Sequence, residues 1–260
     1  MLDESDLAAG AAALADAEAN REKITQLSIT YPDIRLEDAY EIQRRYIRTK
    51  VERGSRIVGH KVGLTSRVMQ MNSKIDEPDY GHLTDDMHYS DGAIIPTDRF
   101  LWPRIETELA FVLGKPVKGP HANMFTVLDA TDYVVPALEI IDYRTEIPRT
   151  ICDTIADNAA SGAFIIGGRA VRPLDIDVRW VAATLSRNGT IEESGVSAAV
   201  MGHPAMGIVW LANKLAAQGE HLEAGHIVLS GSFTRPIAVA PGDTITADYG
   251  SLGSIGVAFS

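Results

Sequence analysis

IVGHKVGL, residues 57–64, marks the point where the chain changes character. Before it, apolar residues recur at helical spacing. After it, they come in short runs broken by Gly, Pro and Asp. The run itself is too short for a helix and is punctuated by glycines, so it reads as a strand. ELAFVLG (108–114), YVVPALEII (133–141), SGAFIIGG (161–168), HIVLSG (226–231) and DTITADYG (243–250) read the same way. Upstream, residues 4–23 read as a helix carrying Leu7, Ala11 and Leu14 on one side, with Asp3 or Ser5 as its cap. A second helix spans residues 35–53, with Leu36, Tyr40, Ile47 and Val51 as its apolar stripe and Gly54 as its stop. One further helix, residues 204–218, interrupts the strands, with Pro204 at its first position and Gly219 after its end. Helices first and strands afterwards make an α+β or mostly-β protein, not a doubly wound one. The expected division is a helical N-terminal lobe over residues 1–56 and a β domain over residues 57–260, with no linker or repeat between them.

The composition bounds the function. The chain has 260 residues, 45% of them hydrophobic and 23% charged, which suffices for a large core. A net charge of −11 argues against a nucleic-acid partner and against docking on anionic lipid. It leaves room for a small anionic substrate, because one local cation can reverse the field inside a pocket. The single cysteine, Cys152, allows neither an internal disulfide nor a thiolate metal cage, and it reads as a small core residue in a reducing compartment. The acidic start lacks the pattern of a secretory signal, and no stretch approaches the ~18 apolar residues of a membrane span. A cytoplasmic protein is expected.

Three glutamates carry the strongest chemical signal. In Arg104-Ile-Glu106-Thr-Glu108 the two acids are two residues apart, so on a strand they project from one face. Side by side they repel unless a cation or proton sits between them. They are either two solvated surface charges or two ligands. Glu139 adds a third acid, in a run too apolar for an ordinary surface strand. An all-oxygen set without Cys or suitably spaced His selects a hard cation, Mg²⁺ or Mn²⁺, over zinc.

Other residues admit two readings each. Lys61 is either a snorkelling surface lysine, or a cation for a substrate carboxylate or a proton carrier with a depressed pKa. Asp79, in Glu77-Pro-Asp-Tyr-Gly81, is a turn former or an acid–base group. Gly231-Ser-Phe-Thr-Arg-Pro236 is a polar turn or a carboxylate-binding loop. Several lures fail. Gly250, Gly253 and Gly256 are not spaced as a nucleotide fingerprint, and Ser161 and Ser230 lack a nucleophile elbow. His60, His82, His88 and His121 lack zinc-ligand spacing.

Taken in order, GHKVGLTS, EPDYG, PRIETELAFVLGKP, YVVPALEIID, DTIADNAASG and GDTITADYGSLGSIGVAF resemble the hydratase/decarboxylase branch of the fumarylacetoacetate hydrolase superfamily, over residues 15–259. The resemblance implies a mixed β-sheet roll preceded by a helical lobe. It implies Mg²⁺ or Mn²⁺ held by Glu106, Glu108 and Glu139, and Lys61 and Asp79 as catalytic residues. Leu64, Ser161, Ser232 and Thr234, in the matched segments and the Gly231–Pro236 loop, are expected to touch substrate. The implied activity is hydration of a 2-hydroxy-2,4-dienoate or 2-oxo-enoate to a 4-hydroxy-2-oxo acid in aromatic-compound degradation. Hydration of the shorter monoacid 2-oxopent-4-enoate, a decarboxylation of the 4-oxalocrotonate type, a non-catalytic scaffold subunit and a simple carboxylate-binding sensor are the alternatives. Implied partners are a small 2-oxo acid, further copies of the chain in a ring or stacked rings, and a pathway decarboxylase or aldolase. A substrate with a second carboxylate needs a second cation, for which Arg144, Arg149 and Arg235 are available.

Overall fold

Asp3 caps the first helix: its carboxylate accepts the backbone N–H of Asp6. The computed structural model describes residues 1–260, apart from the side chains of Val68, Asn72 and Ser73. The helix, α1 (Glu4–Asn20), stops short of residue 23 because Arg21 turns left-handed at φ 55°. A single turn, α2 (Leu27–Thr30), leads to α3 (Leu36–Glu52). Lys50 fastens α3 to its surroundings, lying 2.9 Å from Glu18 and 3.0 Å from Asp86.

From residue 57 the order is β1 (Ile57–Gly63), α4 (Arg67–Ser73), β2 (Asp79–Thr84), β3 (His88–Ser90) and β4 (Ile94–Ile95). Next come β5 (Arg104–Leu113), α5 (Met124–Ala130), β6 (Thr131–Ile141), α6 (Ile151–Ala156) and β7 (Ser161–Ile166). The chain then runs through β8 (Ala182–Arg187), β9 (Thr190–Val196), α7 (Ala205–Ala216) and β10 (Ile227–Leu229). It closes with β11 (Ile237–Ala238), β12 (Thr244–Asp248) and β13 (Ser254–Phe259). An eight-stranded sheet has the order β2-β1-β10-β5-β6-β7-β3, with β11 beside β5. A five-stranded sheet has the order β4-β13-β12-β8-β9. Both sheets are mixed: β1 runs parallel to β10, β3 to β7 and β4 to β13. This is the expected α+β architecture of helices followed by mixed sheets.

The central strands β5 and β6 are nearly continuous in apolar residues because both of their faces are buried. One face of the large sheet joins a core that also takes in Leu14, Ile42 and Tyr46 from the N-terminal helices. The other carries a smaller cluster around Leu83, Ala137, Phe164 and Leu229. The site lies on this second face.

Besides the early end of α1, the structure corrects the sequence reading in three places. Pro204 is the N-cap of α7, one position earlier than expected. The strands are interrupted by α4, α5 and α6 as well as α7. Each of those three has six or seven residues, too few to display a helical period, yet Ser66, Asn123 and Thr150 cap them. The β8–β9 hairpin was not anticipated either. Its polar strands hide it, although Asn188-Gly189, at φ 53° and 79°, is the dipeptide such turns favour. No helix is long and apolar enough to cross a membrane among the described residues.

Candidate metal and acid–base site

Strand register brings the predicted residues to one place. Glu106 pairs directly with Glu139 across β5 and β6, and Glu108 stands two residues further along β5. Lys61 pairs with Leu229, and Leu229 pairs with Ala110. Paired residues point to the same side of a sheet, as do residues two apart on one strand. Lys61 therefore shares a face with Ala110, Glu108, Glu106 and Glu139. On its other side Gly63 pairs with Asp79, which places Asp79 on that face too.

All three glutamates are buried, and each offers an oxygen within 4.8 Å of the others. Burial, then the charge of Glu139, pushes Glu106 up to about 8, and the same two causes raise Glu108 well above the ordinary carboxylate range. Gly231 N–H donates to Glu108 Oε2 at 2.7 Å, while Glu139 Oε1 is buried without a hydrogen bond among the described residues. Crowded carboxylates of this kind want a cation, and oxygen-only donors suit a hard divalent one. The residues fit such an ion, and they form the one such ligand group among the described residues.

Lys61 is 4% exposed, so it is not a snorkelling surface lysine. Its Nζ lies 3.4 Å from Glu139 Oε1. Burial pulls the ammonium down, but Glu139, Asp79, Glu106 and Glu108 outweigh it and hold its pKa above the ordinary lysine value. The expected depression is thus reversed, because four acids surround one amine. Asp79 is likewise buried, with Oδ1 unpartnered among the described residues, and burial raises it to about 6 against the opposing pull of Lys61. Gly63 makes this pairing possible. A Cβ there would stand 2.2 Å from Asp79 Oδ1 and 3.3 Å from Lys61 Nζ.

The four residues expected to touch substrate have different placements. Ser232 Oγ donates toward the carbonyl oxygens of Thr107 and Thr234, and the hydroxyl also bears on Glu106. Thr234 is engaged on Thr107, accepting its backbone N–H at 3.0 Å. Leu64 leaves β1 in a left-handed conformation, φ 53°, and its carbonyl accepts from Gln70 Nε2. Ser161 is buried, and its Oγ has no hydrogen-bond partner among the described residues.

A feature with no sequence signature precedes Ser161. Asn158, Ala159 and Ala160 are all left-handed, at φ 52°, 50° and 60°. L-residues avoid this region, at a cost of about 1–2 kcal/mol each. Asn158 holds the turn against β2: its Oδ1 accepts from His82 N at 2.8 Å and its Nδ2 donates to His82 O at 2.9 Å. Arg144 secures the other side, through a buried ion pair with Asp157 and a bond to Ser161 O.

The remaining titratable groups lie apart. His60, His82 and His226 cluster on the opposite face, with His60 ring centroids 4.9 and 5.6 Å from the other two. Cys152 is half-buried, and burial, aided by Asp153, raises its thiol to about 11. That makes it unreactive near neutral pH.

Residues 56–259 match the family model for the C-terminal region of fumarylacetoacetate (FAA) hydrolase. The chain belongs to the fumarylacetoacetate hydrolase family. Among FAA hydrolase relatives, 2-oxo-hept-4-ene-1,7-dioate hydratase of Escherichia coli is 54% identical over 253 residues, 95% of each chain. The 4-oxalocrotonate decarboxylase of Pseudomonas sp. strain CF600 is 39% identical over 245 residues, 94% of this chain and 93% of that one. The solved structure of 4-oxalocrotonate decarboxylase from Pseudomonas putida G7, complexed with magnesium and adipate, has a TM-score of 0.98 at 37% identity. It covers 100% of this chain and 99% of that one. This FAA hydrolase family member is an enzyme of the hydratase type, acting on a small molecule.

Proposed function

We propose that the protein is a cytoplasmic, Mg²⁺-dependent hydratase acting on 2-oxohept-4-ene-1,7-dioate, presented as its 2-hydroxy-2,4-dienoate tautomer. The product is a 4-hydroxy-2-oxo diacid, formed during aromatic-compound degradation. The observation that carries this reading is the shared sheet face of a buried carboxylate triad, Lys61 and Asp79. Mg²⁺ held by Glu106, Glu108 and Glu139 would supply Lewis acidity to the 2-oxo acid, with Mn²⁺ as a hard substitute.

The chain's own groups account for binding and proton movement. The Lys61 ammonium can face the substrate's C1 carboxylate or exchange a proton with the reacting carbons. Asp79, its carboxyl lifted to about 6, can hold or release a proton near neutral pH. Hydration needs a proton at C5 of the dienol, then water oxygen at C4 and a proton at C3, for a net gain of one water. Lys61 and Asp79 are the donors and acceptors assigned to these transfers. Ala137, Phe164 and Leu229 belong to the apolar cluster on the same sheet face as the triad.

The ring or stacked-ring assembly expected of the family is part of the same reading. Leu174 at 79% and Phe125 at 77% exposure are candidates for burial between copies. The test of function is ultraviolet loss of the dienol, with Mg²⁺ or EDTA, and mass analysis of products from the C7 diacid and the C5 monoacid. A metal-dependent gain of one water supports the hydratase, and a faster diacid supports the assigned substrate. Release of CO₂ from 2-oxohex-3-enedioate would favour the decarboxylase instead. No metal-dependent change with any of them would favour a scaffold subunit.

A further inference from the structure

We propose that Arg149 reads the far carboxylate of a dicarboxylate substrate; the assignment rests on the function proposed above. The cations around the site can be sorted by what already holds them. Lys61 contacts Glu139, and Arg144 is paired with Asp157. Arg235 stands on the surface with its side chain 84% exposed, paired with Glu193 at 2.8 Å. Arg104 donates Nη2 to Pro236 O at 3.1 Å and its charge bears on Glu106, although its Nε is buried without a partner among the described residues. Arg149 differs: no side-chain hydrogen bond or ion pair holds its guanidinium among the described residues, and its Nη1 is buried without a partner.

Its position suits the task. Arg149 lies in the segment joining β6, which carries Glu139, to α6. Its positive charge bears on Asp79 and Asp157, so the guanidinium stands on the Asp79 side of the site. The group is also held in place. Its Cζ is 3.5 Å from the Tyr143 ring centroid, Tyr143 meets Trp102 edge-on at 6.0 Å, and Lys23 covers Trp102 at 4.7 Å. Backbone contacts tie the same segment to the N-terminal lobe: Ile24 bridges Thr145, and Gln26 Nε2 donates to Pro148 O at 3.0 Å.

A buried donor without an acceptor is costly, and more so when it is charged. A carboxylate corrects this with charge-assisted and bidentate hydrogen bonds, for which a planar guanidinium is the matching shape. With one end of a diacid at the carboxylate triad, Arg149 is the cation on the Asp79 side that is left to take the other end. A monoacid of the same length leaves Arg149 unpaired. Because the guanidinium is already fixed on Tyr143, little ordering opposes the new contact.

Adipate and hexanoate differ only in the second carboxylate, so calorimetric titration of the Mg²⁺-loaded protein with each isolates this contact. Wild type is expected to bind adipate more tightly, and Arg149→Gln to reduce that preference about 10- to 100-fold. Equal affinities in wild type, or an unchanged preference in the variant, overturns the assignment. Equal weakening of both ligands also overturns it, since that marks a structural role. Should the glutamine variant not fold, Arg149→Lys keeps the charge but loses the fork, and an unchanged preference there is equally decisive. The measurement involves no turnover, so its failure and a failure of the hydratase assay are read separately.

Discussion

Lys61 Nζ and Glu139 Oε1 are 3.4 Å apart although two strands separate β1 from β6. The contact joins the acid–base pair to the carboxylate triad, so the two can be taken apart by mutation. Lys61→Ala is expected to lower kcat by about 10²–10⁴, while Mg²⁺ affinity, measured by calorimetry, changes far less. Lost Mg²⁺ binding with normal turnover at saturating metal would reverse the assignment.

The triad predicts an unusual response to neutralisation. Glu108 is pushed far up by burial and by its neighbours, so Glu108→Gln removes little that the metal-free protein uses. Its melting temperature without metal should equal or exceed that of wild type. Wild type should gain about 2.7 kcal/mol at Mg²⁺ a hundredfold above Kd, and the variant should lose that increment. A variant that still melts higher with Mg²⁺ argues against Glu108 as a ligand.

The Arg144–Asp157 pair is fully buried, and Arg144 also holds the Ser161 carbonyl. Removing one partner leaves a buried charge, so Asp157→Asn should cost about 3–5 kcal/mol in urea unfolding. Replacing both residues with apolar ones should cost less than the sum of the single changes.

The histidine cluster sets an acid limit. Burial, with Arg44 adding to it, pushes His82 down to about 4 from its ordinary 6.5. The unfolded chain therefore binds a proton that the folded chain refuses. This contribution is complete above pH 6.5 and lost as pH falls toward 4, up to about 3 kcal/mol. His60, beside both His82 and His226, is shifted in the same direction. Asp79 acts oppositely between its raised value near 6 and its ordinary 3.8. The comparison to make is wild type against His82→Leu in urea at pH 7.5 and 5. The variant should show the shallower loss, and identical slopes would remove His82 from the account.

The legible part of the site was the part that strand periodicity controls. Glu106 and Glu108 project together because a strand repeats every two residues, and Glu139 stood out in an apolar run. Lys61 announced itself by its glycine flanks, but the direction of its pKa depends on four acids contributed by three other strands. Arg144 and Arg149 look alike in sequence, and only the pairing of the first with Asp157 separates them. The left-handed turn was hidden because alanine at 159 and 160 carries none of the signal that glycine would. The second sheet was hidden by the polar surface of β8 and β9.

That turn also says something about the order in which the molecule takes shape. Its conformation is disfavoured locally, and what holds it is the Asn158 side chain gripping the backbone of a residue 76 positions earlier. Nothing in the nascent segment would produce it before β2 has been laid into the large sheet. An assembly intermediate with most of its helices formed would therefore still lack the surface around Ser161. During refolding, competence to bind ligand should trail the recovery of helical circular dichroism.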